Sequence, residues 1–344
     1  MSVRPVGAQH RELLRRVTET ASGSASGTAS AAAGPSAGLA EEILTADLIG
    51  RGSPELDTAD QVSERELARV AVSVLVGRLA AVTLPPSPPP PAAPGRLARA
   101  LSRRRYRLVG DPILADPIRR ALVEAGHHPG GRRPTVLVLA SSLPTALQHA
   151  HLSRVLEAGL PEFASWLDSW AARDRMPPRA DPLAAADRWA ALVGASRVRL
   201  VSDPSLVPEL LRIPLRLPDP VTLDPGAAEL LRRVGAGLRT RVDPPTRSRL
   251  LTELLLPPLA EVAPAAGASV PRRHQAWLDT QAACIGAGLA AAGYPVHGPD
   301  PTEHYPTEHY PTESASAAVL TVAVRLLLAL DQDSADQTTR GATR

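Results

Sequence analysis

The sequence predicts an α/β domain built on a parallel sheet, continued by a half that is mostly helical. Three observations carry this. Short continuous apolar runs recur three times between residues 106 and 201, each followed by a turn and a helix-like stretch. The Ser or Asp after each run is suited to cap the next helix, and Pro suits its first turn. From residue 224 onward the apolar positions fall at helical spacing.

Residues 1–94 form an N-terminal region. Within it, residues 20–38 are Ala/Ser/Gly/Thr low complexity, too poor in large apolar side chains to bury a core and expected to be flexible. A short helix is expected near 40–48. Ser63 and Glu66 make a capping box. Leu67, Val70, Ala71, Val74, Leu75 and Leu79 follow at helical spacing, which predicts one amphipathic helix over 64–82. Residues 85–94 are a polyproline tract, a semi-rigid linker.

The α/β region is expected over 95–332. Its apolar runs are Tyr106–Val109 before Gly110-Asp111-Pro112, Val136–Ala140 before Ser141-Ser142, and Val198–Val201 before Ser202-Asp203-Pro204. A strand buried on both faces reads as a continuous apolar run, and a crossover helix follows it. Asp224-Pro225 opens a helix with Ala228, Leu231, Val234 and Leu238 on its apolar positions. Further helices are expected at 246–262, at 271–291 with Gly293 as terminator, and at 315–331. Residues 333–344 read as a disordered tail.

Composition excludes several chemistries. All 38 basic residues are arginine. Without lysine there is no Schiff base and no lysine general base, and guanidinium binds anions without shuttling protons. The net charge is +3 and aromatics make up 3% of the chain, which argues against a nucleic-acid surface. The one cysteine, Cys284, allows no internal disulfide and reads as a small buried hydrophobe. Residues 1–16 lack an apolar signal segment, and Arg78 and Arg325 cut the longest apolar runs short of a membrane span. A cytoplasmic location without membrane partners is expected.

Several constellations could carry chemistry. Arg96, Arg99, Arg103, Arg104, Arg105 and Arg107 precede the first run, and Arg132 and Arg133 precede the second. They would bind a polyanion or an acidic partner, or else serve as a solvated edge paired with the acidic stretch from Glu41 to Glu66. Ligands of open α/β sheets sit at the opposite, carboxyl ends of the strands. There Ser141, Ser142 and Asp203 are the candidates for an anion site, although each also serves as an ordinary cap. The tandem PTEHY repeat over 301–313 places Glu303, His304, Glu308 and His309 in a Pro-rich loop. Equivalent residues there lie about 15 Å apart if extended, too far to share one metal ion. His149 and His151, two apart on a helix, point about 200° away from each other and make no ligand pair. His127-His128 sits in a Gly/Pro-rich turn. Phe163, Trp166 and Trp170 share one helical face, as core or as the lining of a hydrophobic pocket.

From about residue 104 to 331 the order of elements resembles a bacterial sulfotransferase-like family. The resemblance is carried by RYRLVGDPILADPIRRALVEAG, PTVLVLASSLPTALQHA, SRVRLVSDPS, LDPGAAELLRRVGAGL and HQAWLDTQAACIGAGLAAAGYPVHGP. It implies a P-loop-like parallel sheet with flanking helices and a PAPS-dependent transferase. The departures are equally specific. The family's Pro-Lys-x-Gly-Thr-Thr phosphosulfate loop has no counterpart, and Gly27-Thr28 lies in the low-complexity segment. Where the family places an arginine against the donor's 3′-phosphate, Ser141 stands, unable to supply a bidentate charged contact.

The expectation is therefore a degenerate sulfotransferase-like protein acting as a non-catalytic binding or scaffold module, with no catalytic residues, cofactor or metal. The rival readings are an active sulfotransferase with a lysine-free PAPS site, and a regulatory anion-binding protein using Arg96–Arg107. A protein partner is left open.

Overall fold

In the computed structural model, the described residues are 7–24, 34–46, 62–86, 106–131, 133–159, 161–218, 220–264, 268–303 and 315–342. Four parallel strands lie side by side in chain order: β1 (Tyr106–Gly110), β2 (Thr135–Leu139), β3 (Val198–Val201) and β4 (Val296–His297). The three apolar runs thus form strands, each within a residue of its expected limits, and a two-residue strand extends the edge. Among the described residues no strand precedes β1. The outer edge of β1 is closed from within: Tyr106 O accepts from Gly130 N at 3.0 Å and Leu108 O accepts from Arg119 Nη2 at 3.0 Å.

The helices in chain order are α1 (Ala8–Ser24), α2 (Ala37–Thr45), α3 (Glu64–Ala81), α4 (Pro112–Glu124), α5 (Leu143–Glu157), α6 (Phe163–Ala171), α7 (Pro182–Val193), α8 (Val207–Leu211), α9 (Pro225–Leu238), α10 (Pro244–Arg249), α11 (Leu256–Val262), α12 (Gln275–Ala292) and α13 (Ala315–Ala342). Asp111, Asp181, Asp224 and Asp243 cap α4, α7, α9 and α10, each accepting from an amide of the first turn and followed by Pro at the next position. A π-helical stretch, Leu250–Leu255, joins α10 to α11. Pro257 and Pro258 explain it: proline lacks an N–H and crowds the carbonyl four residues back, and the wider π turn relieves both. Gly293 ends α12 as expected.

Alternation along the strands divides the α/β region into two cores. Val136, Val138, Val198 and Leu200 pack with α5, α6, α7 and α12, whereas Tyr106, Leu108, Leu137, Leu139 and Val201 pack with α4 and α8. The third and largest core is helical, formed by α1, α2, α3, α9, α11 and α13 with the π stretch. Helix α5 joins it to the sheet: Leu143 and Leu147 face β2, while Leu152 and Leu156 enter the helical core.

The N-terminal region departs from its sequence reading. Residues 20–24 continue α1 and residues 37–38 open α2, so helix invades both ends of the low-complexity segment, while residues 25–33 lie outside the described residues. Helix α3 begins where predicted, with Ser63 Oγ accepting from Glu66 N at 3.3 Å. It is not amphipathic, however. Residues 70–76 are buried without interruption, because α1, α9 and α13 enclose it on several sides. Ser36, the cap of α2, also reaches α13, with N and Oγ donating to Asp331 at 2.9 and 2.6 Å. The helices before residue 94 and those after residue 224 therefore share one core, and the boundary expected at 94 does not separate them. At the other end α13 runs to Ala342, through most of the stretch read as a disordered tail.

Candidate functional site

The carboxyl ends of β1 and β2 hold the densest buried polar cluster. It starts with a close approach of two backbones. Gly110 has φ +99°, and a Cβ there would lie 2.2 Å from Leu139 O, so only glycine lets β1 end against β2. Asp111 follows, 2% exposed, with its amide donating to Leu139 O at 3.0 Å. Its carboxylate is fully engaged. Oδ1 accepts from the amides of Ile113 at 3.0 Å and Leu114 at 3.4 Å, at the start of α4. Oδ2 accepts from Ser141 Oγ and from His149 Nδ1, the latter at 2.6 Å.

Ser141, Asp111 and His149 are the residue types of a hydrolytic triad in the wrong order. In a triad the imidazole stands between hydroxyl and carboxylate and takes the hydroxyl proton. Here the carboxylate stands in the middle, and Ser141 gives its hydrogen bond to Asp111 instead of to a base. The cluster locks the β1–α4 and β2–α5 turns together. Sequence reading placed Ser141 at this edge but missed His149, which lies 38 positions beyond Asp111 and follows no local motif.

Beside the cluster is a small cleft, partly open to solvent, lined by Gly110, Asp111, Ser141, Arg179 and Asp181 among others. Arg179 donates from Nη1 and Nη2 to the two carboxylate oxygens of Glu157 at 2.7 and 3.0 Å, and from Nη1 to Ser153 Oγ at 2.7 Å. Asp181 caps α7 through Ala184 N at 2.9 Å, and burial holds its carboxyl above the usual range. The cleft therefore offers two carboxylates and a guanidinium that is already paired.

The other candidates do not converge here. Ser142 begins α5, but its Oγ pairs with Thr145 Oγ1 at 2.8 Å instead of capping an amide. Asp203 caps a single turn through Ser205 N at 2.9 Å. The end of β3 is covered: Ser202 Oγ donates to His297 O at 3.2 Å and to Pro299 O, and Gly298, at φ +99°, sits where a Cβ would lie 2.8 Å from Asp203 N. Of the arginine run only Arg107 lies among the described residues, its guanidinium 5.5 Å from the Trp189 ring. Arg133 uses its carbonyl to accept from Arg197 Nη1 at 2.8 Å, and Arg132 lies outside.

The aromatic stripe belongs to a core. Phe163, Trp166 and Trp170 stack along α6 with centroids 6.0 and 6.2 Å apart. The His151 ring lies 5.3 Å from both Phe163 and Trp166, and its Nε2 donates to Pro161 O at 2.9 Å. Burial pulls this imidazole below 6.5. His149 and His151 thus serve opposite sides of α5, as their spacing predicts. A separate surface group joins Asp168 to Arg273 at 3.1 and 3.0 Å and to His274 at 2.8 Å, and these partners, Arg273 first, hold the Asp168 carboxyl below its usual range. Cys284 is exposed on α12 and not buried as its Ala-rich surroundings implied.

Among the described residues no cluster of His, Cys, Asp and Glu is placed to hold a metal, and His304, Glu308 and His309 lie outside them. No described helix is long and apolar enough to cross a membrane. Comparison with protein-family models, with curated proteins and with solved structures finds no match to this chain.

Proposed function

We propose that the protein is a degenerate relative of the sulfotransferase-like family, without donor-dependent catalysis, that serves as a binding or scaffold module. The observation that carries this reading is the spent polar inventory at the carboxyl ends of β1 and β2. Asp111 accepts four hydrogen bonds from within the fold, Ser141 is tied to Asp111, and Arg179 is paired with Glu157. A catalytic edge keeps donors unpaired and aimed at the charge that will develop. This edge keeps none of those three groups free, and its remaining charge is acidic.

Calorimetry with adenosine 3′,5′-bisphosphate, the desulfated product of PAPS, tests the reading on the full chain. No heat of binding is expected at micromolar concentrations. Micromolar affinity that disappears in Ser141→Ala, while the variant keeps its melting temperature within a few degrees, would sink the proposal and favour an active, lysine-free transferase.

A further inference from the structure

A second polar feature lies on the β3–β4 side of the sheet and is separate from the cluster above. Arg199 is the register partner of Leu137, and His297 that of Val201, so both side chains rise on the sheet face that α4 and α8 cover. Arg199 Nη1 donates to His297 Nε2 at 3.4 Å. Both residues are half-buried. Among the described residues, neither has a carboxylate within ion-pair distance.

Most other half-buried arginines do meet a carboxylate, although Arg197 donates to the Arg133 carbonyl and the buried Arg247 to the Glu157 carbonyl. Arg78 meets Glu42, Arg179 meets Glu157, Arg232 and Arg233 meet Glu229, and Arg249 meets Glu253. A guanidinium partly withdrawn from water loses hydration, and a neutral ring nitrogen at long range returns little of it. The 3.4 Å between the two nitrogens is short enough for one oxygen to lie about 2.8 Å from each, the usual length of a charge-assisted bond. The imidazole then turns from acceptor to donor by carrying its proton on Nε2.

We propose that Arg199 and His297, meeting across β3 and β4, form a receptor for a phosphate-type oxyanion. The ligand is either free phosphate or the phosphate end of a small monoester. The receptor is separate from the acidic cleft and needs no catalysis.

The test follows the imidazole resonances of the full chain by NMR during titration with inorganic phosphate, against chloride at equal ionic strength. A saturable shift of His297 at millimolar phosphate is expected, with affinity at least tenfold weaker in Arg199→Gln. Glycerol 3-phosphate forms a second arm: tighter binding than phosphate marks a monoester ligand, and equal binding marks free phosphate. A shift that follows chloride, fails to saturate, or is unchanged in Arg199→Gln overturns the receptor. If Arg199→Gln does not fold, His297→Gln on the short edge strand takes its place. Phosphate then raises the melting temperature of the parent protein and not of the variant, and an equal rise in both refutes the site.

Discussion

Replacing Asp111 by alanine removes one carboxylate and strands every group it serves. The start of α4 loses its cap, worth about 1 kcal/mol. The Ser141 hydroxyl and the His149 ring N–H lose their acceptor inside the fold, and each buried unpaired donor costs roughly 1–3 kcal/mol. The total is on the order of 4 kcal/mol, a large fraction of the ~5–15 kcal/mol that holds a typical domain together. At ~2–4 °C per kcal/mol for a larger domain, the melting temperature falls on the order of 10 °C. Asp111→Asn separates the contributions. Its amide oxygen can still cap α4, while its NH2 faces a hydroxyl that can rotate to accept and a neutral ring that can accept on Nδ1. It should cost about 1–2 kcal/mol, less than the alanine variant, because each buried partner keeps a hydrogen bond. Thermal melts and urea titrations of the parent and both variants, followed by circular dichroism, read these differences. An alanine variant that loses less than about 1 kcal/mol would refute the lock.

Three further outcomes follow from the same structure. Gly110→Ala forces a Cβ to 2.2 Å from Leu139 O at φ +99° and should cost about 3 kcal/mol or more, read as loss of soluble protein or a collapsed urea midpoint; a parent-like midpoint contradicts the backbone contact. The His151 imidazole is held below 6.5 by burial, so the unfolded chain binds more protons as pH falls through that value and stability drops on the acid side; His151→Gln should shrink the loss of urea midpoint between pH 7 and pH 5, and an equal loss in both proteins refutes it. Burial raises Tyr106 to about 12, and burial with the bond to Asp187 does the same for Tyr294. Their contribution is intact below the ordinary value of 10 and is lost as pH rises toward 12, so phenolate absorbance should appear together with alkaline unfolding, and ionisation well before unfolding contradicts the assignment.

The strands were legible because a strand buried on both faces needs no periodicity: Val136–Ala140 reads the same from either side. The caps were legible because Asp-Pro at 111, 203 and 224 is local chemistry. What escaped the sequence was set by distant stretches of the chain. Helix α3 read as amphipathic from Leu67, Val70 and Val74, yet Val72 and Val76 are buried too, because helices from the far end of the chain enclose it. The Asp111–His149 bond joins the β1–α4 turn to the middle of α5, and His149 carries no local mark of its partner. Cys284 looked internal among alanines, but it faces outward with Ala283 and Ala287, and only Ala282 of that group is buried.

The enclosure of α3 has a consequence for synthesis. Its greasy surface leaves the ribosome long before α9, and longer still before α13, exist to cover it. At roughly 5–20 residues per second that interval lasts some tens of seconds. The nascent protein is therefore a natural client for chaperones, and a message cut short before codon 315 yields a product that quality control should destroy.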